Sequence, residues 1–370
     1  MHPDPIVEIA AVEVRVPLPQ VLRLGSLVIA ERRYVTVTVT TEAGRVGRAV
    51  SLTREMPVAA IVNRTLAPAL VGADAMLTAA AWETMYRGTV AGGRVGAAMR
   101  AISLVEIALW DVKGQAAALP VWALLGGARS EADVMMVGGY ARPGVAPEEL
   151  GQIVADYAAD GYRRVKIARS PDPAVTTAVV RAAAERLPAD GELVVDAAWA
   201  LRDAEHLRRE TAGWGDAPIA WLEDPMPPEN VAACARLARG RPLRIGWGDE
   251  VTDEHVLRRL VEDDCLDVLR IDATAVGGFA IAARLAGFAT GLGLPVSFHV
   301  YPELHVHLAL GLPGQLSIET FDPVDNPFDP CADLLTGGPA IAHGLARPAD
   351  APGLGLGFDE EKIARYAVEA

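Results

Sequence analysis

Cysteine is scarce: Cys234, Cys265 and Cys331 are the only three in 370 residues, with no CxxC pair and no even-numbered framework. That spacing excludes a disulfide scaffold and a cysteine-ligated zinc site, and reads as reduced thiols. Positive charge is also short. The 34 Lys and Arg stand against 48 Asp and Glu, a formal charge of −14, which makes a phosphate backbone a poor partner. An anionic substrate would therefore need a local cation, from a metal or a lysine. No run of ~18 uncharged apolar residues occurs, and the first residues carry acids and a proline, so neither a membrane span nor a signal peptide is expected. These absences describe a soluble, cytoplasmic protein that does not bind nucleic acid. Half the residues are apolar, enough for a sizeable core, and the length suits a barrel of ~250 residues with a partner domain.

Residues 6–50 alternate apolar and polar, with a Glu-Ala-Gly turn, and predict a three-stranded antiparallel meander with a long first link from Leu18 to Ala30. Helical spacing follows over 57–87 and 93–118, where Pro120 and a glycine pair stop the helix. A meander followed by helices is an α+β domain, with bounds set at 1–128. From about residue 132 short apolar runs alternate with amphipathic helices. The strands are 134–139, 163–168, 193–197, 219–223, 243–248, 266–271, 295–299 and 315–319. Eight such units predict a closed parallel barrel over 129–339 in preference to an open doubly wound sheet. The prolines of 321–330 forbid an immediate helix after the last strand. The tail, 340–370, is too short for a domain and is expected to return to the first one.

Strand ends on one side of a parallel barrel share a mouth. Successive ends carry Lys166, Asp196, Glu223, Asp249 with Glu250, Asp272, His299 and Glu319, in strands otherwise almost purely aliphatic. Asp196, Glu223 and Asp249 come from adjacent strands. Their mutual repulsion calls for a cation, and a purely oxygen donor set favours Mg²⁺ over Mn²⁺ or Ca²⁺. The plainer alternative is that each acid caps the next helix. His299 beside Asp272 has the makings of a general base, the carboxylate fixing the tautomer and raising basicity. His305 and His307 read as core or surface residues. Lys166 can hold a substrate carboxylate, and Glu319 can donate a hydrogen bond if crowding with the other carboxylates keeps its proton.

These residues resemble the enolase superfamily, and within it the mandelate racemase group. The resemblance covers nearly the whole chain. ISLVEIALWDVKGQAAALPVWALLGG (102–127), VVDAAW (194–199), WLEDP (221–225), GDE (248–250), LRIDATAVGG (269–278), LPVSFH (294–299) and PGLG (352–355) fall in the family's order and spacing. It implies a (β/α)7β-type TIM barrel with an α+β capping domain completed by the C-terminal tail, and a homo-oligomer. It also implies Mg²⁺ on Asp196, Glu223 and one acid of GDE, a His299–Asp272 base, and Glu319 bonded to a small carboxylate substrate. The metal, Lys166 and Glu319 would stabilise an enediolate as the α-proton leaves.

The chain departs from the family pattern in three places. The Lys-x-Lys of the second strand is Lys166-Ile167-Ala168, so a second base is missing. The Asn two residues past the first metal acid is Ala198. For the third ligand, Asp249 matches the pattern of cycloisomerase-like members and Glu250 that of racemase-like ones. Asp249 is preferred, because its spacing of 26 residues from Glu223 sits closer to the 27 between Asp196 and Glu223. A one-base site fits dehydration of an acid sugar. The rivals are a racemase or epimerase, a lactone cycloisomerase, and, from another class, a non-catalytic acid-binding barrel. Substrate contacts are expected from the cap loops, with Arg54, and from Tyr140 and Tyr301.

Overall fold

The computed structural model describes residues 3–24, 27–140, 144–322 and 328–368. Strands β1 (Ile6–Leu24), β2 (Leu27–Thr41) and β3 (Val46–Leu52) form the antiparallel meander. The first link is shorter than expected. The two strands run through it after a register shift between Pro17 and Leu22, and residues 25–26 lie outside the described set. The proline pair at 17 and 19 interrupts the apolar alternation without ending the pairing.

The expected helix over 57–87 is two segments. Val58–Leu70 is helical with a π turn at Val62–Leu66, and Thr78–Gly88 follows a break. The helix Ala97–Ala117 is the axis of the cap, with Ile102, Leu104, Val105, Ile107, Ala108 and Leu109 fully buried. It sits so close to β3 that a Cβ on Gly47 would lie 2.0 Å from the Ala108 carbonyl oxygen. A short helix, Val121–Leu124, leads to the barrel.

The barrel strands are β4 (Ala132–Gly139), β5 (Arg164–Ala168), β6 (Glu192–Asp196), β7 (Ile219–Glu223), β8 (Ile245–Trp247), β9 (Val268–Ile271), β10 (Val296–Phe298) and β11 (Leu316–Phe321). All pair in parallel in chain order, and β11 closes on β4 through Ser317↔Asp133 to Phe321↔Val137. Part of the proline-rich stretch after β11, 323–327, lies outside the described residues.

The tail divides, which corrects the expectation that all of 340–370 joins the cap. β12 (Leu335–Gly337) precedes the hairpin of β13 (Ala340–Ala342) and β14 (Leu345–Arg347), and β14 pairs with the start of β4 at the floor of the barrel. Only the later part reaches the cap. β15 (Leu356–Phe358) pairs with β12, and the Val368 N–H donates to the Glu13 carbonyl at 2.9 Å. Among the described residues no helix is long and apolar enough to cross a membrane.

Cap and barrel meet through buried polar bonds, which costs little only because each is paired. Glu106 on the long cap helix accepts from the Phe279 and Ala280 N–H groups at 2.7 and 3.2 Å and from Trp110 Nε1 at 2.7 Å. Gly278 allows this approach. It sits at φ +86°, and a Cβ there would fall 2.2 Å from the Glu106 carboxylate. Asp111 accepts from Leu354 N–H at 2.8 Å and Arg48 N–H at 3.0 Å, so the PGLG segment is anchored to the cap.

Candidate active site

The C-terminal ends of the barrel strands open into a cavity of about 760 Å³ beneath the cap, lined by Lys166, Asp196, Asp249, His299 and Glu319 among others. Arg54 and Tyr140 line it as well. Tyr301 does not. It is buried in the cap–barrel joint, its hydroxyl accepting from Leu52 N–H at 2.8 Å. A second cavity, about 590 Å³, opens at the opposite end around Arg164, Trp221 and Arg244. It lacks the convergent strand-end acids, and barrel chemistry belongs at the other face.

None of the three expected metal acids caps the helix that follows it. Those caps are Asp203, Asn230 and Asp253, whose side chains accept from His206, Ala233 and His255 N–H. The acids are instead held around two buried cations. Lys166 Nζ is 2.7 Å from Glu223 Oε1, 2.5 Å from Glu319 Oε1 and 3.9 Å from Asp196 Oδ2. Arg270 donates from Nε to Asp249 Oδ1 at 2.7 Å, lies 3.1 Å from Glu223 Oε2, and also bonds Glu319 and, at 2.6 Å, Ser297 Oγ. Trp221 Nε1 donates to Glu223 Oε2 at 3.0 Å. Arg270 was legible only as part of a motif. In the strand Val-Leu-Arg-Ile it stands two residues before Asp272, hence on the same inward face, and that period-two register is the signal for it.

The ledger of buried charge fits a hard divalent cation. Asp196, Glu223, Asp224, Asp249 and Glu319 crowd the mouth, where among the described residues Lys166 and Arg270 reach Glu223 and Glu319 and the His299 ring faces Asp249. Burial, reinforced by Glu223 against the pull of Arg270, pushes the Asp249 carboxyl up to about 7. Burial also raises Asp196, and raises Asp224 well above the carboxylate range with help from Asp249. Carboxylates that resist ionising mark a site with too little positive charge, and an all-oxygen donor set suits Mg²⁺. Lys166 lies within 3.9 Å of Asp196 and Glu223, and Arg270 bridges Glu223 and Asp249. Among the described residues the donor groups that approach within 4.8 Å are Asp249–His299–Glu319 and Glu250–Asp272–His299.

Glu319 departs from the sequence expectation. Burial raises it, but Lys166 and Arg270 outweigh that and hold its carboxyl below the ordinary value, so it is ionised and accepts rather than donates. Crowding among acids alone suggested a retained proton; Lys166 and then Arg270 pull the other way.

His299 and Asp272 do meet. Nδ1 is 3.2 Å from Asp272 Oδ2, while Asp272 Oδ1 accepts from Thr274 N–H and Oγ1–H at 2.8 and 2.7 Å. Although burial opposes it, His299 lowers the Asp272 carboxyl far below the usual range. His299 Nε2 is left facing Asp249 Oδ2 at 3.7 Å. Burial works against the imidazolium, yet Asp249, the Asp272 bond and Glu250 push His299 up to about 9. Glu250 Oε1 lies 3.9 Å from His299 Nδ1 and is also held from the cap. Arg54 from the cap loop and Arg100 from the long cap helix both bond it, bringing it down to about 2 against burial. This pairing, invisible in the sequence, ties the cap loop to the mouth.

At the end of β5, the position after Lys166-Ile167 carries no ionisable side chain. Ala168 packs with Val137, Tyr140, Phe321 and Phe328, and Arg169 is turned to Glu210, donating to both carboxylate oxygens at 2.7 and 3.2 Å.

Residues 6–126 match the family Mandelate racemase / muconate lactonizing enzyme, N-terminal domain, and residues 149–362 match Enolase C-terminal domain-like. Among curated proteins, a D-mannonate dehydratase of Sphingomonas sp. is 28% identical, with 90% of this chain and 91% of that protein covered. A D-galactarolactone cycloisomerase of Agrobacterium fabrum is 26% identical, with 92% and 93% covered. A racemase from Streptomyces coelicolor with bound magnesium superposes with a TM-score of 0.88 at 25% identity, covering 98% of this chain and 100% of that one. Both halves of the chain are thus accounted for, and it belongs to the mandelate racemase/muconate lactonizing enzyme family of the enolase superfamily.

Proposed function

We propose that the chain is a Mg²⁺-dependent hydro-lyase that removes the α-proton of an acid sugar through His299 and expels the β-hydroxyl as water. The observations that support this reading are the His299–Asp272 dyad and the alanine, packed in an apolar cluster, at position 168. The dehydratases among the relatives support the substrate class.

Asp196, Glu223 and Asp249 would hold the cation, which supplies positive charge beside the substrate carboxylate. Lys166, lining the cavity, binds that carboxylate from the other side. His299 acts in its neutral form, with Nδ1–H donated to Asp272 and Nε2 open to the α-carbon. The α-proton passes to Nε2, leaving an enediolate. Asp272, ionised and fixed by Thr274, stabilises the imidazolium. The β-carbon–oxygen bond then breaks as Nε2–H returns the proton to the leaving hydroxyl on the same face. Water departs and the enol becomes a 2-keto acid. A cation held by Asp249 would offset the largest lift on His299 and bring that base nearer neutrality. A non-catalytic barrel has no use for a dyad and acid set kept together.

The first half of this sequence is shared with a cycloisomerase, and a cycloisomerase stands among the relatives. Incubating the protein with a library of acid sugars and Mg²⁺ in deuterated water separates the two. A 2-keto acid lacking one water is the expected product. A product of substrate mass plus one deuterium would replace the dehydratase reading with an isomerase.

A further inference from the structure

Two histidines follow the base strand and take no part in the chemistry above. His307 is accounted for. Its Nδ1 accepts from Trp122 N–H at 3.3 Å and its Nε2–H donates to the Leu354 carbonyl at 3.1 Å, pinning the tail segment to the cap linker. His305 is fully buried, its Nε2 3.9 Å from Asp272 Oδ1.

We propose that His305 is a positioning residue whose imidazole bolts the residue after His299 to the residue after Asp272, setting the separation and aim of the dyad. This rests on the reading of His299 as the base. The ring's protonation follows from its partners. Nε2 is 2.9 Å from the Ala273 N–H, which can only donate, so Nε2 is the unprotonated acceptor. Nδ1 therefore carries the hydrogen and donates to the Val300 carbonyl at 2.6 Å.

The place of these two bonds matters. Strands β9 and β10 pair from Val296↔Leu269 to Phe298↔Ile271, and the last rung is His299 N–H to the Ile271 carbonyl at 2.9 Å. Beyond that rung the ladder stops. His305 supplies the next cross-link, between Ala273 and Val300, one residue past each member of the dyad. The chain needs it there. Val300 and Tyr301 both sit in the left-handed region, at φ 41° and 44°, a conformation that a β-branched residue adopts only when its surroundings impose it. The His305 ring is itself fixed by stacking on Phe298, with centroids 5.4 Å apart and planes 14° apart. It does not line the cavity, so its effect on substrate must pass through the dyad.

Three variants divide the two contacts. His305→Phe keeps the flat ring and its stacking but can neither donate to Val300 nor accept from Ala273. His305→Asn keeps a donor near Nδ1, and His305→Gln an acceptor near Nε2. With the acid sugar identified by the screen above, His305→Phe is expected to lower kcat and α-hydrogen exchange about 10²-fold, the scale of a misaimed catalytic group. KM and calorimetric Mg²⁺ affinity should stay at native values, and Asn and Gln should each recover part of the loss. Native exchange rates in all three variants would overturn the proposal. So would a loss of Mg²⁺ affinity alongside activity without recovery in Asn or Gln, since the ring would then merely hold the fold. If the Phe variant does not fold, the Asn and Gln variants decide by the same criteria. His299→Asn separates this from the parent reading: continued exchange in that variant removes the base itself, whatever His305 does.

Discussion

Arg270→Met strips a positive charge from the floor of the mouth while keeping a side chain of similar length. Arg270 is fully buried and faces three carboxylates, Asp249 at 2.7 Å, Glu223 at 3.1 Å, and Glu319. Among the described residues Lys166 then remains against Glu223 and Glu319, and the His299 ring against Asp249. Removing one partner from a buried charge cluster typically costs about 3–5 kcal/mol, because the stranded carboxylates have lost their water as well as their partner. In EDTA at pH 8, where protons cannot replace the lost charge cheaply, denaturant unfolding should show a loss of that size. Added Mg²⁺ should return part of it, about 2.7 kcal/mol at a hundred times the dissociation constant, and should bind the variant more tightly than the native protein. An unfolding free energy within about 1 kcal/mol of native would mean that Arg270 does not balance these acids. Weaker Mg²⁺ binding in the variant would mean that the arginine organises the metal acids rather than competing with the ion for them.

Asp249→Asn should abolish Mg²⁺ binding by calorimetry, whereas Glu250→Gln should leave it intact and loosen the cap loop, seen as faster proteolysis around Arg54; the reverse pattern would move the third ligand to Glu250. Asp249 keeps its proton in the folded, cation-free protein up to about pH 7, so the stability it confers is present in acid and lost as pH rises through 7. Below that point Mg²⁺ must displace a proton, and its apparent affinity should fall by up to about tenfold per pH unit. An affinity independent of pH between roughly 5.5 and 8 would contradict the raised Asp249 carboxyl.

Most of the barrel was legible because its strands are short aliphatic runs, whose ends stand out when they carry charge. Asp196, Glu223, Asp249, Asp272 and His299 were singled out that way, and each lies at or just past the end of a barrel strand. Arg270 was not, since a charged residue inside a strand gives no hint of its partners until the barrel closes around it. The same gap applies to Glu319: a neighbourhood of acids was visible, but the guanidinium that joins Lys166 in holding it was not. The Arg54–Glu250–Arg100 cluster joins residues 46 to 196 positions apart, and only the docking of the cap on the barrel brings them together. The tail divides for a similar reason. The turn chemistry of Gly344 between β13 and β14 marks a hairpin, but not the strand that receives it.

The role of His299 is tested most directly by exchange of the substrate α-hydrogen with deuterated water, followed by NMR in the presence of Mg²⁺. The native protein should exchange one configuration at the α-carbon and leave the other untouched, because Ala168 offers no group to accept a second proton. His299→Asn should exchange neither, while retaining Mg²⁺ binding by calorimetry. Exchange of both configurations by the native protein, or of either by His299→Asn, would place a base on another residue and contradict the one-base account.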